Sequence, residues 1–243
     1  MSMRTRRLVD EVDEQHREGM RTIQDDLASL HLDGSDPALV ASRRNFVRNL
    51  GLGAVAFGAV AVSGTALAQS VAAQTPTKVP DLPQADLQLL IFVQGLELAA
   101  AAGYQVAAGT KLLDSQALLA AQTFGRHHTE HAGALGGLIP KDQQVTMPNA
   151  AVVAAVVPEL EAAETQTEVL EVMYGVEEGA AATYLRALGV VDWQVAGPAA
   201  TILPIESQHA VVIGQLADLP ESDWMPVFGD ATAAFDPAGY PAG

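Results

Sequence analysis

Apolar positions recur every three or four residues along much of this chain, and that rhythm marks four long helices. The first starts at about Asp86, a candidate N-cap, and runs through "LQLLIFVQGLELAAAAGYQVAAG". The second opens after Asp114-Ser115 and continues to Gly136-Gly137, with Pro140 beyond as a stop signal. A loop with Pro148 and a short apolar piece, "AAVVAAVV", follow. The third is "TQTEVLEVMYGVEEGAAATYLRALG", ending at Gly189, and the fourth spans about Trp193 to Leu219, closed by Pro220. Four helices with the longest connection between the second and third predict an all-α chain, an antiparallel four-helix bundle over residues 86–219. Composition agrees: apolar residues make up 49% and aromatics only 5%. The excess is mostly alanine, which favours close-packed helices over sheets.

The rhythm is different ahead of residue 69. "SRRNFVR" (42–48) precedes "NLGLGAVAFGAVAVSGTALA", an uncharged Gly/Ala/Val stretch ending in Ala66-Leu67-Ala68, a small-x-small site of the kind a signal peptidase cuts. The Arg43-Arg44 pair with Phe46 resembles a twin-arginine translocation signal over residues 42–68. That resemblance implies export by the twin-arginine translocase to the periplasm or cell envelope, with a mature start near Gln69. The alternative is an anchor left uncleaved at residues 50–68, because about 18 apolar residues just span a bilayer. Residues 1–41 form a charged extension whose Leu, Val, Met and Ile spacing allows a surface helix. No function attaches to it from sequence, and its His16 and His31 carry no metal argument. Residues 69–85 read as a proline-bearing linker and 220–243 as a Gly/Pro-rich tail over the surface.

The net charge is −16, and from residue 69 onward 5 Lys+Arg face 20 Asp+Glu. Nucleic acid, which is bound by clustered cations, is excluded as a partner. With no cysteine, thiolate metal sites and disulfides are excluded as well.

Candidate chemistry comes from an internal repeat. "GLELAAAAGY" places Glu97 seven residues before Tyr104, and "GVEEGAAATY" places Glu177 seven before Tyr184. The second helix carries His128-x-x-His131 and the fourth Glu206-x-x-His209. The chain thus reads as two similar helical hairpins, each with one mid-helix glutamate followed by an i, i+3 pair on one face. Stepping from Glu97 by threes and fours meets Leu90, Val93, Ala101 and Tyr104, and from Glu177 it meets Leu170, Met173, Ala180 and Tyr184. The same walk from Glu178 meets Glu171 and Tyr174, a wetter stripe. Ala121, Phe124, Leu135 and Leu138 flank the first histidine pair, while Ile202, Ile213 and Leu216 flank Glu206 and His209. His127 and Glu130 fall beside the stripe, and Glu130 is expected to pair with Arg126. Six polar groups on apolar stripes would cost several kcal/mol each if left unsatisfied, a cost that a bound cation removes. The two tyrosines are either core fillers or donors to the glutamates.

On these residues, over about 86–219, the chain resembles the ferritin-like family, in particular its exported members with a twin-arginine signal. In that family each half-bundle gives one Glu and one Glu-x-x-His to a di-iron or di-manganese centre. The resemblance therefore assigns Glu97, His131, Glu177, Glu206 and His209 as metal ligands, with His128 standing where the pattern has Glu. Three Glu and three His imply one or two ions of Fe or Mn, or Zn, since imidazole suits several of these metals. The implied activity is iron oxidation or peroxide consumption in oxidative-stress protection, with O2 or peroxide as reactant. The alternatives are a non-enzymatic storage or structural protein and a degenerate bundle serving protein contacts; a homo-oligomer fits any of them. Without metal, three converging carboxylates repel, so one should protonate or the site should loosen.

Overall fold

The computed structural model of the chain describes residues 3–29, 82–191, 193–224 and 232–241. The expected export signal and the linker up to residue 81 lie outside the described residues. Among the described residues all regular structure is helical: α1 (Met3–Ser29), α2 (Gln84–Gly109), α3 (Ser115–Gly136), α4 (Ala150–Ala162), α5 (Gln166–Leu188), α6 (Trp193–Leu216) and α7 (Glu221–Trp224).

Local chemistry explains most boundaries. Asp114 caps α3, its Oδ1 accepting from the N–H groups of Gln116 (2.8 Å) and Ala117 (2.9 Å). Thr165 and Glu168 form a reciprocal capping box at the start of α5. The "AAVVAAVV" piece belongs to a full helix, α4, capped by Asn149, whose side chain accepts from the N–H groups of Ala151 and Val152. Two ends differ from the sequence expectation. Pro83, not Asp86, occupies the N-cap position of α2, and Asp86 sits in the first turn, where its charge suits the helix dipole. The fourth long helix stops at Leu216 because Asp218 adopts a left-handed φ of 58°, letting the Leu219 N–H reach back to the Gly214 carbonyl (3.0 Å).

Helices α2 and α3 form one hairpin, α5 and α6 a second, and the crossover helix α4 lies against α2 and α5. The interior holds two apolar clusters. One gathers Tyr104, Phe124, Leu170, Met173 and Ile213, and the other Leu90, Phe92, Val93, Leu135, Ile139 and Ile202. Between them lies a layer of buried polar side chains. Helix α2 is apolar and long enough to span a membrane, yet most of its apolar window is buried inside the bundle.

Within the charged extension, Met3–Ser29 form a fifth bundle helix. α1 packs along α6 and α3, contributing Val9 and Val12 to the first cluster and Ile23 to the second. Its apolar stripe is interrupted by His16, which is buried at the level of the polar layer. Gly19 lets the helices approach, since a Cβ there would meet Thr201 Cγ2 of α6 at 3.0 Å. The tail also adheres to the bundle. The Phe235 N–H donates to Thr183 Oγ1 (2.9 Å), and Asn149 Nδ2 donates to the carbonyls of Tyr240 (3.2 Å) and Pro241 (3.1 Å).

Candidate metal centre

Each predicted site residue sits mid-helix, one or two turns inside an apolar stripe, so the stripe that buries the helix buries the polar group too. All six converge. Glu97 is 3% exposed, His131 1%, and His128, Glu177, Glu206 and His209 are fully sealed. They fall into two overlapping groups, Glu97–His128–His131–Glu206 and His128–Glu177–Glu206–His209, each with ligand atoms within 4.8 Å of one another. Each hairpin therefore supplies one terminal Glu/His pair, while His128 and Glu206 are common to both groups. The His128 ring spans the layer, with Nδ1 2.7 Å from Glu97 Oε2 and Nε2 3.2 Å from Glu177 Oε1.

Glu206 is the hub. Its Oε1 lies 2.8 Å from His131 Nδ1, and its Oε2 lies 3.4 Å from His209 Nδ1 and 3.7 Å from His128 Nε2. Despite these approaches, both Glu206 oxygens and both His131 ring nitrogens lack a hydrogen-bond partner. Atoms this close without an aligned hydrogen bond are compatible with a shared cation. Buried polar atoms are otherwise almost always paired.

The tyrosines hold the terminal glutamates crosswise. The Tyr104 hydroxyl of α2 donates to Glu177 Oε1 of α5, and the Tyr184 hydroxyl of α5 donates to Glu97 Oε1 of α2. Both are donors to the glutamates, not mere filler. Phe124 stacks on His209 with centroids 4.1 Å apart, fixing that ring. Glu178 takes the wetter position expected of it, accepting from the Tyr174 hydroxyl (2.8 Å).

The electrostatics favour ionised carboxyls at Glu97 and Glu177. Burial pushes Glu97 up, but the His131 and His128 imidazoles outweigh it and hold the carboxyl at about 2. Glu177 is likewise held well below the usual range, its burial outweighed by His209 and His128. Burial pushes His131 down, yet Glu97 and Glu206 lift it to about 9. His128 and His209 are raised by the same balance. Glu97 and Glu177 are thus matched by neighbouring imidazolium and held ionised.

Two residues escaped the sequence reading. His127, expected beside the stripe, is fully buried, with Nδ1 2.9 Å from His209 Nε2 and Nε2 3.0 Å from Asp13 Oδ1. His16 of α1 stacks on the His127 ring with centroids 3.7 Å apart. Burial and the nearby His131 and His209 push its imidazole down to about 3, so it stays neutral. The expected Arg126–Glu130 pair is present (3.1 Å), and Arg126 also reaches Asp13 (2.5 Å).

A family model for the ferritin-like domain matches residues 85–218, more than half of the chain. No curated protein and no solved structure matches it.

Proposed function

The chain belongs to the ferritin-like domain family, and we propose that it is an exported metal-binding protein whose buried Glu/His layer holds one or two ions of iron or manganese. The observation that carries this reading is the set of sealed Glu206 and His131 atoms that approach one another without an aligned hydrogen bond, with Glu206 common to the two ligand groups. Glu97 with His131 would hold one ion and Glu177 with His209 the other, with Glu206 and His128 between them. All-oxygen sites suit Mg and Ca, whereas this mixed set suits Fe, Mn or Zn. His128 replaces one carboxylate, which favours a single ion or an unequal pair. A reduced pair of ions supplies electrons to O2 or peroxide, the basis for proposing iron oxidation or oxidative-stress protection.

The chain's own residues bind and orient. Tyr104 and Tyr184 each fix one oxygen of a terminal glutamate, while Glu97 Oε2 faces His128 and His131 and Glu177 Oε2 faces His209. The two flanking apolar clusters keep bulk water from the layer. A second reading, storage or structural metal binding without turnover, is favoured by the same sealing, since the cavity that Glu97 and His128 line holds only about 20 Å³ behind Val93, Leu96, Val152 and Val176.

Export rests on residues 42–68 as a twin-arginine signal. The packing of α1 on α3 and α6 suits the chain as folded before translocation, because a cut after Ala68 and an anchor spanning the membrane at residues 50–68 would each part α1 from the exported bundle. The test is elemental analysis of protein recovered from the cell envelope, followed by oxygen uptake with Fe(II). Metal with uptake supports the oxidase reading, and metal without uptake supports storage. A protein that takes up no ion after reconstitution overturns both. Replacing Arg43 and Arg44 with Lys should retain the protein in the cytoplasm, since the translocase reads the guanidinium pair.

A further inference from the structure

The seam between α1 and α3 carries a cluster outside the two central ligand groups, touching them where His127 Nδ1 lies 2.9 Å from His209 Nε2. Asp13 and His16, three residues apart, face the same way from α1, and His127 meets them from α3. Their ligand atoms lie within 4.8 Å of one another. The His127 Nε2 is 3.0 Å from Asp13 Oδ1, and the His16 ring lies parallel to the His127 ring within 9°. Glu130 stands at the rim, its Oε2 3.6 Å from His16 Nδ1.

His16 points to a ligand. Its ring is 1% exposed, and neither ring nitrogen has a hydrogen-bond partner. A stacked phenyl would fill the same space without burying one unmet donor and one unmet lone pair, an arrangement that disfavours folding. The neighbouring carboxylates are not sealed: Asp13 keeps 24% of its side chain exposed and Glu130 39%. An ion can therefore arrive from solvent without crossing the central layer.

We propose that Asp13, His16 and His127 form a separate cation site, distinct from the central layer, that takes one divalent transition-metal ion such as Zn(II), Co(II) or Fe(II), with Glu130 available as a fourth ligand. Two imidazoles and a carboxylate are the donor set of such ions, not of Mg(II) or Ca(II). Parallel rings point their lone pairs side by side, so loading turns the His16 ring off the stack toward Asp13. The ion replaces the proton shared by His127 Nε2 and Asp13, and that proton leaves to solvent. Arg126 is the built-in competitor. Its guanidinium already bridges Asp13 (2.5 Å) and Glu130 (3.1 Å), supplying the positive charge that the ion would bring.

The experiment is anaerobic Co(II) titration of the full chain after metal removal, read by calorimetry and by the visible bands of Co(II). His16→Phe keeps the aromatic stack, and Asp13→Asn keeps the shape of a partly exposed side chain. Each should bind one Co(II) fewer than the parent. Arg126→Gln should tighten that same equivalent about tenfold by removing the competitor. Glu206→Gln, which alters only the central layer, should leave it in place. Circular dichroism of each metal-free variant establishes that it has folded, and Asp13→Asn alone decides if His16→Phe has not. The proposal is overturned if the folded variants bind as many Co(II) as the parent, or if Glu206→Gln removes every bound ion.

Discussion

Replacing Glu206 with glutamine tests the shared-hub geometry directly. The substitution keeps the shape of a fully buried side chain while removing the one carboxylate common to both ligand groups. Three imidazoles approach its oxygens, at 2.8, 3.4 and 3.7 Å, so the loss is felt by both halves of the layer. At free metal a hundredfold above Kd, binding to the folded state adds about 2.7 kcal/mol. In a domain of this size each kcal/mol moves Tm by about 2–4 °C, so the parent should gain about 5–11 °C. If losing the shared charge weakens binding about a hundredfold, the residual gain at the same metal concentration is about 0.4 kcal/mol, or 1–2 °C. The assay is thermal unfolding at pH 7.5 with Mn(II), Zn(II) or anaerobic Fe(II) in an Asp13→Asn background, so that the central layer alone is read, each variant compared with its own metal-free form. Glu171→Ala, on the exposed face of α5, should keep the full shift. A Glu206→Gln protein that gains as much as the parent would refute the hub.

The pH dependence of the metal-free protein should follow its ion pairs. The folded pKa of His131 is raised from 6.5 to about 9, so its contribution is full below about pH 6.5 and is lost as pH rises through 9. Glu97 is depressed from 4.5 to about 2, so its contribution is full above 4.5 and lost as pH falls through 2. Metal-free Tm should therefore decline between pH 6.5 and 9 while metal affinity rises, because ligation needs neutral imidazole; a flat Tm would contradict the pairing. His128→Glu should raise occupancy toward two ions by elemental analysis, and unchanged binding would remove His128 from the ligand set. Tyr184→Phe deletes the donor to Glu97, which should cost the metal-free protein about 1.5–3 kcal/mol by denaturant unfolding and weaken metal binding about 10- to 100-fold. Tyr174→Phe, whose hydroxyl serves Glu178 instead, should leave metal affinity unchanged.

The central layer was legible because its signal is local. Glu97 and Glu177 interrupt strongly apolar stripes, and each hairpin repeats the same spacing, so helix periodicity alone brings the six side chains to one level. The starts of α3 and α5 were placed beside Asp114 and Thr165, which cap those helices through bonds inside their own first turn. The α1 contacts were not legible. Asp13 meets His127 across 114 residues of chain, and no periodicity links two segments so far apart. Within α1 a signal did exist: Val9, Val12, His16 and Ile23 share one face, the same apolar stripe broken by one polar residue that marks the other helices. The density of charge around it made that face look like an ordinary amphipathic surface. His127 was misplaced because a neighbour helix covers the side of α3 that would otherwise face water.

The crossed tyrosines give the layer an approximate twofold symmetry in which Tyr104, Glu97 and His131 of one half correspond to Tyr184, Glu177 and His209 of the other. A hairpin paired with an identical copy of itself would satisfy the same crossed bonds, but every position would then be forced to match its mate. Joining the halves in one polypeptide lifts that constraint. Among the ligands it is lifted at one pair, His128 against Glu206, the two residues common to both ligand groups. Covalent fusion thus lets the middle of the layer carry a handed difference in charge, with an acid on one side and a base on the other, while the tyrosine-anchored ends remain equivalent.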